Sequence, residues 1–341
     1  MGQRVTSRQG APAGAASRMT PFLFILAAAV VLFGLAHNYY TADLLDPPHE
    51  VTLFGIAPAP YQWRILVPFI TDGLVQIAVW FGAVYGQAYA VIAPALFFLS
   101  IVGALGAAYL YLRHWFAPAL ALLGVACVAL GAASTLPTFY WLTYSWVEMA
   151  FFFLAGWAAF DTPPRAAGGW ALRIAIVVLA ALNRASGAFI ALLFAAATLR
   201  KGWKAALANG LVTGLAAVAA HGAVRLAYGP RPNIVSLVYV RDYNFGLLRE
   251  QPVGTALVAL GVLLPVTFAL GAGLRHAPRP VLNGLLWVPF YLAAVGVFGI
   301  WWESRLFLPI YAALLPINLF GVRAWLAQMP RTTGLPGSSG G

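Results

Sequence analysis

Charge is scarce in this chain: Asp, Glu, Lys and Arg make up only 9% of its 341 residues, while 62% are hydrophobic. A water-soluble domain carries about 25% charged and roughly 45–50% apolar residues, so this chain lacks the polar surface to cover a globule in water. A soluble enzyme and a disordered polypeptide are excluded on that ground. Cysteine is scarcer still. Cys127 is alone, which forbids an internal disulfide and excludes a disulfide-stapled scaffold. The common catalytic signatures are also missing. There is no P-loop, no His-Glu-x-x-His, no Gly-x-Ser-x-Gly, and no His/Cys set at metal-ligand spacing. No internal repeat is visible, nor any inverted pair of broken helices.

What the chain has in abundance is long apolar runs. A crossing helix needs about 20 such residues. Runs of that kind cover 20–38, 87–112, 117–134, 205–228, 252–273, 281–300 and 305–322, with a shorter one at 146–160. Residues 168–199 form one long stretch interrupted by Asn183-Arg184, which predicts two short spans meeting at that polar pair. The chain is therefore expected to be an all-α polytopic membrane protein with about ten transmembrane helices. Residues 1–19 precede a run too long for a typical signal peptide, so that run reads as an uncleaved first span.

Residues 64–80 are different. Their polar members, Arg64, Thr71, Asp72 and Gln76, fall within an arc of roughly 140° on a helix, and the segment is too short to cross. It reads as an interfacial helix in the first outer loop. With it lying flat, both termini are cytoplasmic. The inner side then holds Arg4, Arg8, Arg18, Arg113, Arg165, Arg173, Arg200, Lys201, Lys204, Arg275, Arg279, Arg323 and Arg331, thirteen of the 20 basic residues. If 64–80 crossed, those loops would face outward, against the positive-inside rule. Three regions follow: a flexible cytoplasmic N-terminus (1–19), a single integral membrane domain (20–323) with outer loops 39–86 and 229–251, and a flexible cytoplasmic tail (324–341). The net charge of +11 suits basic inner loops and an anionic ligand better than nucleic acid.

Candidate chemistry gathers on the outer side. Asp43, Asp46, His49 and Glu50 lie within eight residues of one another, close enough to furnish a general base or to bind a divalent metal. A solvated acidic loop is the alternative. In the second outer loop, Arg231, Arg241 and Arg249 follow Arg225, and guanidinium forks suit phosphate oxygens. Arg241-Asp242 and Arg249-Glu250 would otherwise neutralise each other locally. Glu148, Arg184, Glu303 and Arg305 sit where spans reach the outer face. Charges at that depth face a cavity or a partner, and two ion pairs, Glu148–Arg184 and Glu303–Arg305, are the rival to a ligand site. His221 and Arg225, four residues apart, share a helix face. Trp141, Trp146, Trp301 and Trp302 read as an interfacial aromatic belt.

The order of features carries a resemblance. A span and an acidic outer loop are followed by PYQWRILVPFITDGLVQ, by a long span ending YLYLRHWF, by WVEMAFFFLAGWAAF, by a split span around LNRASG, and by ESRLFLPIYAALLP. This order resembles the GT-C superfamily of integral membrane glycosyltransferases across most of 20–322. The shared motifs, Tyr-x-x-Arg-x-x-x-Pro and Arg-x-x-x-Pro, are short. The resemblance implies a compact GT-C-like form without a soluble domain, set in the plasma (inner) membrane. It would transfer a sugar from a polyprenyl-phosphate donor to a glycan or lipid acceptor on the extracytoplasmic face. It implies a catalytic acid at Asp43 or Asp46, although DLLDPPHE does not reproduce the usual acidic pair. Substrate contacts would come from Glu50, Arg64, Glu148, Arg184, Arg241, Glu303 and Arg305. No organic cofactor is called for, and a divalent metal is left open. The rival expectations are a non-catalytic partner that binds lipid-linked glycan or scaffolds a complex, and a lipid or solute transporter.

Overall fold

The computed structural model describes residues 15–39, 52–54, 56–57, 61–136, 143–161, 167–230, 236–301 and 303–329. All regular structure among them is helical. The helices are α1 (Ala15–Tyr39), α2 (Leu66–Trp80), α3 (Tyr85–Arg113), α4 (Pro118–Thr135), α5 (Thr143–Asp161), α6 (Ala167–Asn183), α7 (Ile190–Thr198) and α8 (Trp203–Tyr228). They continue with α9 (Leu237–Glu250), α10 (Pro252–Thr267), α11 (Leu270–His276), α12 (Arg279–Asn283), α13 (Val288–Phe298) and α14 (Tyr311–Gln328). Helix α1 thus begins inside the expected N-terminal segment, and α14 runs five residues past 323.

Among the described residues, seven helical segments are long and apolar enough to cross a membrane: Met19–His37, Tyr85–Arg113, Pro118–Thr135, Trp203–Tyr228, Pro252–His276, Arg279–Phe298 and Ser304–Gln328. The chain is an α-helical polytopic membrane protein. Its lipid-facing surface is apolar: Leu226 is 88% exposed and Trp80 82%. The last segment is the most enclosed of the seven and serves as the central post of the bundle. The 146–160 run folds as α5, and the split stretch as α6 followed by the turn Ala185–Phe189 and α7.

Membrane helices must satisfy their own backbone, and one break shows how this is done. The run 252–273, expected to be continuous, is interrupted between α10 and α11. Pro265 sits near the end of α10, where its ring disturbs the regular ladder. Asn318 of α14 fills the gap from the side. Its Oδ1 accepts from the Ala269 N–H at 2.7 Å, and its Nδ2 donates to the Pro265 carbonyl at 3.4 Å. Just beyond, Gly273 lets α11 touch α14, since a Cβ there would lie 1.9 Å from the Ile317 carbonyl oxygen.

The two ends of the bundle differ in charge. At one end Arg113 donates to the Phe116 carbonyl, Arg173 to the Ala158 carbonyl, and Arg323 stacks on Phe320. Arg200, Lys201, Arg275 and Arg279 belong to the same end, where α12 packs beside Leu199–Lys201. The other end gathers both signs and carries the site described next. Helix α2 begins there, anchored by the Ile65 N–H donating to the Leu182 carbonyl at 3.0 Å. Its polar arc is divided. Asp72 accepts from Tyr85 and Gln76, whereas Thr71 turns inward and donates to the Val67 carbonyl. Phe69, Ile70, Leu74, Ile77 and Trp80 remain exposed, an apolar face suited to lipid.

Candidate functional site

The site starts from the break between α6 and α7. Asn183 ends α6, and Arg184 follows in extended backbone. The chain then doubles back so tightly that only glycine fits at 187, where a Cβ would fall 2.4 Å from the Ala180 carbonyl. Asn183 Nδ2 donates to the Tyr144 carbonyl at 2.8 Å and ties the break to the first turn of α5. Arg184 reaches one turn further along α5 and donates from Nη1 to Glu148 Oε2 at 2.7 Å. The Ser186 hydroxyl donates to the other Glu148 oxygen. The buried carboxylate is thereby satisfied on both oxygens, as burial in a low-dielectric interior requires.

A second strand of the site comes from the turn Tyr61–Trp63. Fully buried Gln62 pins it by donating to the Thr52 carbonyl at 2.9 Å. Arg64 then lies over the Tyr144 ring at 4.7 Å, with Arg184 near the same ring at 5.9 Å. Trp63 carries the Arg225 guanidinium at 4.1 Å and meets the edge of His221. The third part is the link from α13 to α14. There Arg305 Nη2 donates to Glu303 Oε2 at 3.2 Å, and the Tyr291 hydroxyl donates to the Leu306 carbonyl. Helix α9 covers this link. Its Asn244 donates to the Gly299 carbonyl and accepts from the Trp301 N–H, at 3.0 and 2.8 Å.

These parts enclose a cavity of about 770 Å³. Part of the lining is polar, from Trp63, Arg64, Arg184, Ser186, His221, Arg225 and Glu303. Another part is hydrocarbon, from Phe189, Leu237, Val240, Ala294, Val295 and Phe298. Three guanidiniums against one carboxylate make the lining net cationic. The size and the mixture of apolar wall and few polar groups are those of a small-molecule pocket. No protein-family profile, no curated protein and no solved structure matches this chain. The cavity's own residues therefore carry its chemistry: it can hold an anion against a hydrocarbon surface.

The expected site residues divide three ways. Asp43, Asp46 and Glu50 lie outside the described residues. Arg64, Arg184 and Glu303 line the cavity, with Glu148 directly behind Arg184 and Arg305 behind Glu303. Arg241 is not among the lining residues. It stands on the exposed side of α9 with Nε 2.8 Å from Asp242 Oδ1, and that hydrogen bond holds its pKa above the ordinary guanidinium value. Both ion pairs considered from sequence are present, and so is Arg241–Asp242. Trp63, Ser186 and Asn244 join the site unforeseen. Trp63 stands beside Arg64 and Ser186 two residues past Arg184, so neighbourhood was their only signal, and Asn244 had none. Among the described residues no group of three metal-ligating side chains assembles.

Proposed function

We propose that the protein is an integral membrane glycosyltransferase that moves a sugar from a polyprenyl-phosphate donor to a glycan or lipid acceptor on the extracytoplasmic face. One observation carries this reading: the cavity sets arginines against a hydrocarbon wall at one end of a membrane bundle. A lipid phosphate presents the same two chemistries in one molecule. The reading takes ten crossings, with α5, α6 and the turn Ala185–Phe189 with α7 supplying the three beyond the seven long segments, both termini in the cytoplasm, and α2 at the outer interface. The basic end of the bundle then faces inward, as the positive-inside rule expects.

The donor phosphate would sit among Arg64, Arg184 and Arg225, which stabilise its charge as it departs. The acceptor hydroxyl attacks the anomeric carbon and the carbon–oxygen bond to phosphate breaks, its electron pair leaving on the phosphate. The hydroxyl proton passes to a carboxylate, Asp43 or Asp46 of the first outer loop. Glu303, held by Arg305, orients the acceptor. A non-catalytic lipid-phosphate binder is the second reading, favoured by one observation: Glu148 and Glu303 are each engaged by an arginine. The two differ in an assay of proteoliposomes supplied with a panel of radiolabelled polyprenyl-phosphate sugars. Turnover that falls about 10²–10⁴-fold in Asp43→Asn or Asp46→Asn supports the transferase. Donor binding without turnover of any sugar in the panel, in the unaltered protein, supports the binder.

A further inference from the structure

We propose that Trp63 is a positioning residue: its indole face holds Arg225 at the cavity with the N–H groups of the guanidinium left for an anionic head group. The proposal rests on the lipid-phosphate reading of the cavity and says how one of its cations is made ready.

The cavity holds its arginines in two ways. Arg184 donates to Glu148, and Arg305 behind the lining donates to Glu303, so a carboxylate already meets part of their charge and takes one of their donors. Arg225 is held differently. Its guanidinium carbon lies 4.1 Å from the centre of the Trp63 ring. Among the described residues its side chain enters no ion pair and donates no hydrogen bond. An indole face attracts a cation through its quadrupole yet accepts no conventional hydrogen bond. The guanidinium carries its N–H donors in one rigid fork, so resting on a ring leaves them for phosphate oxygens.

The ring is itself fixed before any ligand arrives. Trp63 ends the turn Tyr61–Trp63, which buried Gln62 pins through the Thr52 carbonyl. Two residues on, the Ile65 N–H ties the chain to the Leu182 carbonyl. His221, one turn before Arg225 on α8, meets the indole edge-on, with ring centroids 5.8 Å apart and planes at 78°. The turn and α8 are thus joined through Trp63. A long side chain near the end of α8 would otherwise sample many rotamers, and ordering it at the moment of binding would subtract from affinity. Trp63 and Arg225 both line the cavity, so the ordered guanidinium stands where the ligand meets the protein.

The test is a double-mutant cycle on the full chain in nanodiscs, read as equilibrium affinity for a long-chain polyprenyl monophosphate. The four proteins are wild type, Trp63→Leu, Arg225→Gln and the double variant. Affinity is taken from the folded fraction of each, and Trp63→Met repeats the cycle if Trp63→Leu does not fold. With Arg225 present, Trp63→Leu should weaken binding roughly three- to thirtyfold, the range of a cation–π contact. In the Arg225→Gln background the same change should cost less than about twofold. Trp63→Phe, which keeps a ring against Arg225, should lose less than Trp63→Leu. Equal losses in both backgrounds would make Trp63 a piece of wall and overturn the proposal, and so would a Trp63→Leu protein that binds as wild type does. Wild-type protein that binds no polyprenyl phosphate overturns the lipid-phosphate reading itself, and the proposal with it.

Discussion

At the residue scale, the arginines of the cavity are not equivalent. Arg184 is 8% exposed and satisfies buried Glu148, so it is part of the scaffold as well as of the lining. Removing one member of such a pair leaves an uncompensated buried charge and costs about 3–5 kcal/mol, whereas replacing both by apolar residues of similar size is often neutral. Arg184→Ala is accordingly expected to lower the melting temperature in detergent sharply, and Glu148→Leu with Arg184→Leu to recover most of the loss. A single variant that melts like wild type contradicts the structural role of the pair. Arg64 and Arg225 are different. Their guanidiniums lie on the Tyr144 and Trp63 rings, Arg64 half-buried and Arg225 exposed, so they are the arginines whose loss reports on a ligand more than on folding. Much of this was legible in the sequence. A Glu and an Arg at the ends of apolar runs have to find partners, and the pairing of 148 with 184 was one of two outcomes foreseen. Which arginines also line a cavity was not legible, because that depends on which face of each helix docks.

At the element scale, lipid makes the crossings readable. A solvent that cannot hydrogen-bond demands long apolar runs, and the polar break at Asn183-Arg184 stands out against them. The interruption between α10 and α11 was not readable, since its repair comes from Asn318, some fifty residues away in α14. Likewise the second outer loop was expected at 229–251, but the exposure of Arg241 follows from the docking of Val240 and Asn244, the two buried residues of α9, which leaves Arg241 on the flank beside them. The break yields a prediction. Asn318→Leu keeps the branched shape and removes both hydrogen bonds, leaving the Ala269 N–H and Pro265 carbonyl without them. Unsatisfied buried groups cost about 1–3 kcal/mol each, so thermal unfolding in detergent should begin several degrees lower. An unchanged transition would mean that α10 and α11 satisfy themselves without α14.

At the scale of the whole molecule, orientation and site go together. Basic residues collect at one end of the bundle and the amphiphilic cavity lies at the other, so the cavity faces outward if the positive-inside rule holds. Cysteines introduced singly at Ser236 and His114 test this in intact cells with a membrane-impermeant thiol reagent, the native Cys127 being buried. Position 236 should label from outside and position 114 should not; the reverse pattern would invert the topology and move the cavity to the cytoplasm. The central claim is that the cavity holds a lipid phosphate on Arg64 and Arg225. Equilibrium binding of a long-chain polyprenyl monophosphate to nanodisc-embedded protein tests it most directly. Each charge-assisted contact is worth about 1.5–3 kcal/mol, so Arg64→Gln and Arg225→Gln should each weaken binding roughly ten- to a hundredfold while melting stays near that of wild type. Wild-type affinity retained in the double variant would contradict the account.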